Sequence, residues 1–313
     1  MTEEGRIIDG AQKSDSHSEG QGYGLALAAL FGDFEGFERI HRWTEKNLAV
    51  RSDNLLAWRW SASARPNVMD MNNASDGDLF YAWALASMGR LTGRGELIER
   101  ARAIAIDLAR ICMVPHPDGS DTIIMLPAEK GFEIENGYVF NPSYIMPRAM
   151  MELASATGVS DIAEAARSGV DIMHALASNG LVPDWVAITT DGLAPPPERF
   201  SFNAGYEAVR VPLFAVWSGL GASLPVQRYR SVVEAAAGLS GSVTVFERST
   251  GRPMEVSPDP GYLAVSGLVT CAATRSVGAP IPAFSTAQPY YPATLQLMSL
   301  VAHIELYPSC VPL

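Results

Sequence analysis

Two carboxylates in this sequence stand at the head of glycine-bearing apolar runs. Glu19 lies in "SEGQGYG", residues 18–24, directly before "LALAALF". Asp76 lies in "MNNASDGDLFYAWAL", residues 71–85, followed at once by Gly77. A carboxylate at such a place can cap a helix, stand beside a phosphate loop or give and take a proton. Capping accounts for part of the pattern: Ser16 or Ser18 supplies an N-cap oxygen, Glu19 enjoys the helix dipole in the first turn, and Asp76 caps the helix that begins at Gly77. It leaves Gly20, Gly22 and Gly24 unexplained, since glycine inside a helix costs about 1 kcal/mol relative to alanine. Backbone left bare beside an acid points to a bulky ligand lying against it. His17, beside the acid, reads as a solvated turn residue.

Dinucleotide binding by "GQGYGLAL" fails on context. That fingerprint needs a strand before the glycines and an acid about twenty residues on. Here the preceding "IIDGAQKSDSHSE" is polar and turn-like, and the glycine spacing is different.

The elements that must carry these acids are helices. Apolar residues recur at helical spacing, most plainly Leu97, Ala101, Ile104, Leu108 and Ile111. Ten helices are expected, near 20–32, 35–48, 77–92, 95–112, 142–156, 160–179, 204–220, 226–239, 259–275 and 289–307. "GDFEG", "LTGRG" and "ATGVSD" turn the chain between pairs. Longer excursions at 114–141, 181–203 and 240–258 carry β-like runs, the last as a hairpin about a Ser-Thr-Gly turn. Helical hairpins alternating with long loops give a closed all-α toroid or a solenoid, and the lack of a repeat of fixed period argues against the solenoid. With no linker rich in Pro, Gly or Ser, residues 1–313 read as one domain.

Bulk properties narrow the partners. The 313 residues carry 34 acidic and 23 basic side chains, a formal charge of −11, which repels nucleic acid and anionic membrane. No apolar stretch reaches the roughly 18 residues that span a bilayer, so no membrane insertion is expected. "MTEEGRIIDG" is not a signal segment, which leaves a cytoplasmic protein or one whose leader lies outside this numbering. Of Cys112, Cys271 and Cys310, at least one is a free thiol and one bridge is open. His41, His116, His174 and His303 have no ligand spacing, the cysteines form no CxxC, and "DGDL" lacks the rest of a calcium loop. No metal and no cofactor is expected.

Four stretches taken in order, "SHSEGQGYGLALAA", "NNASDGDLFYAWAL", "NPSYIMP" and "GYEAVRVPL", resemble the motifs of glycoside hydrolase family 8 over roughly residues 5–308. The resemblance implies an (α/α)6 barrel of helical hairpins, with long loops and small β-hairpins on the cleft side, that hydrolyses β-linked glycans with inversion. It implies Glu19 as general acid and Asp76 at the cleaved sugar. Where endoglucanase-like members carry an Asp base, this chain has Glu207 in "YEAVR", one methylene longer; Glu133 and Glu135 are the alternatives for that role, and a purely structural pair with Arg210 is the other reading of Glu207. One helix precedes the acid in the family, whereas only eighteen residues do here, so a short first helix or a clipped chain is expected.

Inversion needs a protonated carboxyl at the leaving oxygen and an ionised one activating water on the opposite face, roughly 6.5–9.5 Å away. A helix dipole works against a protonated Glu19, so a like charge must oppose it, and Glu19 and Asp76 are expected to approach each other. Arg210, one turn after Glu207, pairs with it and stabilises its charge. Trp58 and Trp60 in "LLAWRW" are the expected sugar platforms. Tyr23, Tyr138, Tyr144 and Arg210 follow as substrate contacts from their motif positions, while Trp43 and Trp83 read as core. The function expected is an inverting endo-1,4-β-glucanase acting on cellulose or a related β-linked polysaccharide or oligosaccharide, a monomer in the periplasm or outside the cell. Chitosan, xylan or mixed-linkage glucan is the alternative substrate. A glucan-binding protein with failed catalysis, because of Glu207, is the alternative class.

Overall fold

The computed structural model describes residues 1–275 and 279–310. Ten helices are present among them: α1 Ser18–Phe31, α2 Phe34–Asn47, α3 Ser75–Thr92, α4 Gly95–Cys112, α5 Pro147–Thr157, α6 Ser160–Ser178, α7 Arg210–Trp217, α8 Leu224–Ala235, α9 Pro260–Thr274 and α10 Tyr290–Leu306. No helix precedes α1, where residues 1–15 run as turns and bends.

The chain divides into two compact units. The first is Met1–Ile134 with Ala149–Ala166, and the second is Glu135–Arg148 with the chain from Arg167 onward; the divisions fall inside α5 and α6.

In the first unit α1 and α3 are buried almost all round, as an apolar helix without a polar face must be. By contrast, α2 and α4 bury one stripe each, Phe37, Ile40 and Trp43 on α2 and Leu97, Ala101, Ile104 and Leu108 on α4. Gly32 and Gly93 end α1 and α3 in the left-handed region (φ 70° and 72°), where a residue with a Cβ is strained. Asp33 starts α2 by accepting from the Gly36 amide at 2.8 Å. Two short antiparallel pairs complete this unit: β1 (Ser16–His17) with β2 (Arg59–Trp60), in register Ser16 to Trp60, and β3 (Met113–Pro115) with β4 (Ile123–Met125). A last short strand, β5, covers Glu133–Ile134.

The second unit holds β6 (Gly137–Phe140), β7 (Val186–Thr189) and β8 (Gly192–Ala194), an antiparallel ladder with Tyr138 opposite Ile188. It also holds the hairpin of β9 (Ser242–Phe246) and β10 (Pro253–Ser257), at the turn expected from sequence. Apolar α7, α9 and α10 form its core. A disulfide joins Cys271 on α9 to Cys310. Cys112, in the first unit, is the free thiol; it is buried, and that burial pushes it up to about 12.

His303 on α10 is wholly buried, and neither ring nitrogen has a hydrogen-bond partner among the described residues. Burial lowers its pKa from 6.5 to about 4. The unfolded chain therefore binds the extra proton first, and stability fully present above pH 6.5 is lost as pH falls toward 4, to the extent of about 3 kcal/mol. Thermal midpoints measured across that window are expected to fall steeply for the wild type. The fall should be shallower for His303→Leu.

Candidate active site

In the first unit, Glu19 occupies the first turn of α1, and the residue that starts this helix is His17. Its backbone is extended and its Nδ1 accepts from the Gly20 amide at 3.0 Å. The serines expected to cap do other work. Ser16 Oγ accepts from Arg6 Nε at 2.8 Å and donates to the Ile7 carbonyl, while the Ser18 amide donates to the Trp58 carbonyl at 2.9 Å. Nor is His17 a solvated turn residue: its side chain is 11% exposed, Nε2 stands 3.4 Å from Asp9 Oδ2, and Nδ1 stands 3.9 Å from Glu19 Oε1.

Asp76 is buried in the first turn of α3, two positions past the N-cap residue Ala74 and so not the cap expected, with Oδ1 accepting from the Gly77 amide at 2.7 Å. Gly22 and Gly77 do not open the backbone to a ligand, although that is what the sequence suggests of such glycines; they let α1 and α3 touch. A Cβ on Gly77 would stand 2.4 Å from Ser18 Oγ and 2.6 Å from the Glu19 nitrogen, and one on Gly22 would stand 2.8 Å from the Gly77 carbonyl oxygen. One on Gly24 would meet Ile7 at 3.0 Å. The helix starts that bear Glu19 and Asp76 are therefore in backbone contact. Gly77→Ala must push them apart, which is expected to destabilise by about 2 kcal/mol. It should also cost on the order of a hundredfold in rate if the acids move by about 1 Å. Melting curves and turnover on the same sample check both.

Asp78, two residues on, is fully buried; burial raises it to about 7 although it accepts from the Leu56 amide at 2.8 Å and from Asn73 Nδ2 at 2.9 Å. Those bonds fasten the segment leading to Trp58 onto α3. Trp58 Nε1 donates to Asp70 Oδ2 at 2.9 Å, and its ring lines a groove of about 330 Å³ with Asp15, Arg59, Asn67 and Asp70. Trp60 does not share that groove. The Arg6 guanidinium lies 4.5 Å over its ring, the edge of Trp43 meets it at 5.4 Å, and it opens on a separate hollow with Arg42 and Lys46. Tyr23 is a correction: it is 1% exposed and packs edge-on against Phe80 at 4.6 Å, in the core between α1 and α3 and not on a platform. Trp43 and Trp83 are core, as expected.

The second unit carries Glu207 on a tight turn just before α7. Glu207 Oε2 accepts from Asn141 Nδ2 at 3.0 Å and from Arg210 Nη2, and lies 3.3 Å from Ser143 Oγ. Arg210 is buried and also donates to Ser143 Oγ from Nη2 at 2.8 Å. Ser143 Oγ in turn lies 2.7 Å from Asn141 Oδ1. The expected Glu207–Arg210 pair is thus present, set in a wider seat built from "NPSY". Oε1 takes no hydrogen bond from any described residue, and the side chain is 33% exposed. One carboxylate oxygen is clamped and the other is not. The alternatives Glu133, in β5, and Glu135, in the turn after it, are both exposed.

The turn has its own support. Asp184 Oδ1 accepts from the amides of Gly205, Glu207 and Ala208 at 2.9, 3.1 and 2.8 Å. A Cβ on Gly205 would stand 2.7 Å from Asp184 Oδ2, so a side chain there would have to push that carboxylate aside. Burial raises the Asp184 carboxyl, the amides oppose it, and the neighbouring Glu207 adds to the rise. Tyr144, half-buried, is 6.2 Å from the Trp185 ring, which is 5.0 Å from Phe200, a row of aromatic faces beside the Glu207 seat. The Arg210 guanidinium lies 5.7 Å from the Tyr144 ring. Tyr138 sits half-buried on β6. Sequence reasoning missed Asp184 and Trp185; a lone "DW" between a proline and a strand gave no signal beyond residue type. It also missed Asp9 and misjudged His17.

Three comparisons bear on this arrangement. The family model described as "Glycosyl hydrolases family 8" matches residues 1–304. A "Probable endoglucanase" of Novacetimonas hansenii is 31% identical over 310 residues, which is 96% of this chain and 86% of that protein. An "Endoglucanase" of Cellulomonas uda is 30% identical over 219 residues; the match takes in 69% of this chain and 60% of the relative's length. Among solved structures, the endo-beta-1,4-glucanase CMCax of Acetobacter xylinum superposes with a TM-score of 0.85 at 28% identity, covering 97% of this chain and 94% of that one.

Proposed function

The chain belongs to glycoside hydrolase family 8, and from that premise we propose that it hydrolyses a β-1,4-glucan with Glu19 as proton donor and Glu207 as the base that activates water. It is a glycoside hydrolase of all-α, (α/α)6-barrel class, and the family works with inversion. The match over residues 1–304, across both compact units, supports reading the chain as one catalytic domain.

What carries the proposal is the seat of Glu207. A glutamate at this position would be a poor base if its extra methylene left the carboxylate to wander. Here Asn141, Ser143 and Arg210 gather about Oε2, so the longer side chain is held in place and Oε1 alone is presented. This speaks against a failed catalyst. The names of the relatives favour cellulose or a close β-glucan. Asp76 at the neighbouring helix start, Trp58 on its groove, Tyr144 with Trp185 and Phe200, and Tyr138 on β6 are the groups we assign to sugar contact. Reaction at a polymer and the Cys271–Cys310 disulfide favour an oxidising space, the periplasm or the exterior, as the site of action. No described helix is long and apolar enough to cross a membrane. We read the working form as a monomer.

The test is reducing-sugar release from carboxymethylcellulose, run beside xylan, chitosan and mixed-linkage glucan, with the first-formed anomer followed by proton NMR. Release from carboxymethylcellulose with the α-anomer appearing first is expected. A β-anomer at first turnover would refute inversion, and tight binding without release would make the chain a glucan-binding protein.

A further inference from the structure

The residue that starts α1 is an imidazole, and its two nitrogens are committed to different partners. Nδ1 accepts the Gly20 amide at 3.0 Å, so in the neutral ring that nitrogen carries no proton and Nε2 does. Nε2 faces Asp9 Oδ2 at 3.4 Å. Asp9 is itself fixed: its Oδ1 accepts from the Ala11 amide at 2.9 Å, its own amide donates to the Asp15 carbonyl at 3.0 Å, and it is 6% exposed. The bond to His17, first, and the Ala11 amide hold the Asp9 carboxyl below the usual range, against the opposing effect of burial. A charged acceptor at Nε2 fixes both the tautomer and the plane of the ring.

The consequence falls on Glu19. The same Nδ1 lone pair that caps α1 stands 3.9 Å from Glu19 Oε1. A lone pair repels a carboxylate and attracts a carboxylic O–H, so a ring held in this tautomer favours the protonated acid. Were His17 to gain a proton on Nδ1, the Gly20 bond would break and the cation would pair with an ionised Glu19, the form that has no proton to give. Other charged groups stand near His17. Arg59, opposite it in the strand pair, is bonded to Asp15 at 2.6 Å, Arg6 is bonded to Ser16 at 2.8 Å, and Asp76 stands on the helix start that abuts Ser18 and Glu19.

We propose that Asp9 and His17 form a positioning pair that keeps Glu19 in its proton-donating state, with Asp9 fixing the tautomer and His17 presenting an unprotonated nitrogen to the acid. The proposal rests on the reading of Glu19 as general acid.

The experiment separates capping from this role. Serine and asparagine at position 17 both cap a helix well, but asparagine keeps its acceptor two bonds beyond Cβ, as Nδ1 is, whereas the serine Oγ is one bond beyond and stands farther from Glu19. His17→Ser is expected to melt close to the wild type, to keep KM, to lose about tenfold in kcat and to move the alkaline limb of the kcat profile down by about one pH unit. His17→Asn should recover much of that loss, and Asp9→Asn should shift the limb in the same direction. Equal kcat and an unmoved alkaline limb in all three variants would overturn the pair, as would equal losses in His17→Ser and His17→Asn that track a fall in melting temperature. Glu19→Gln, run alongside, isolates the premise: full activity there refutes the general-acid reading itself, whereas an inactive Glu19→Gln beside unaffected His17 variants refutes only the pair.

Discussion

Glu19→Gln is expected to fold, to bind cello-oligosaccharide and to lose about three to four orders of magnitude in turnover on carboxymethylcellulose. The side chain stands in the first turn of α1 with 19% exposure, and the helix start is made by His17 and Gly20, so an isosteric amide leaves the local structure intact. What disappears is the proton. General acid–base assistance is worth about 10²–10⁴ in rate, and a sugar alkoxide expelled without it is a very poor leaving group. A β-cellobioside of an acidic phenol leaves without protonation, so on that substrate Glu19→Gln should fall far less. Comparable losses on both substrates would remove Glu19 from the role.

Glu207 supplies the second large effect, and its variants give a graded series. In Glu207→Gln the three groups about Oε2, namely Asn141 Nδ2, Ser143 Oγ and Arg210 Nη2, select the amide oxygen for that place. The amide nitrogen is then turned to the position of Oε1, where a base has to accept, and a loss of about 10²–10⁴ is expected. Glu207→Asp retracts the carboxylate from the seat by roughly 1 Å and should cost on the order of a hundredfold. KM should change little in either case. Steady-state kinetics on one soluble cello-oligosaccharide settles the order. An aspartate variant faster than wild type would mean that the seat is not adapted to glutamate.

Much of the fold was legible because its signal is local. All ten helices arise where apolar spacing and breakers placed them. The two whose bounds moved most did so at prolines and at a remote acid. Pro142 and Pro147 restrict the residues before them, so the expected 142–156 becomes a 3₁₀ turn at 142–144 and α5 from 147. Asp184 gathers three amides of 205–208, so α7 begins at Arg210 and not at 204.

The candidate carboxylates Glu19, Asp76 and Glu207 stand out in the sequence by the motifs that bear them; the groups that hold them do not. Glu207 and its clamp come from separate stretches, 141–143 and 207–210. Asp184 acts on a turn some twenty residues away, and nothing in "VPDW" records that. The glycines show the same limit from the other side: sequence says that backbone is bare at Gly22 and Gly77, and only packing says that each is bare toward the other's helix. Tyr23 was misplaced for this reason, since the face of α1 that carries it is turned to α3 and Phe80.

The sulfur chemistry described above divides the molecule for an experimenter. Cys112 lies in the first unit, buried and strongly protonated, so alkylating reagents should pass over it while the protein stays folded. Cys271 and Cys310 are just as buried but joined as a disulfide, so iodoacetamide should tag them only once a reductant has cut that bond and opened the half that bears Glu207. A slackened base-bearing half can thus be compared with an untouched acid-bearing one, with no residue replaced.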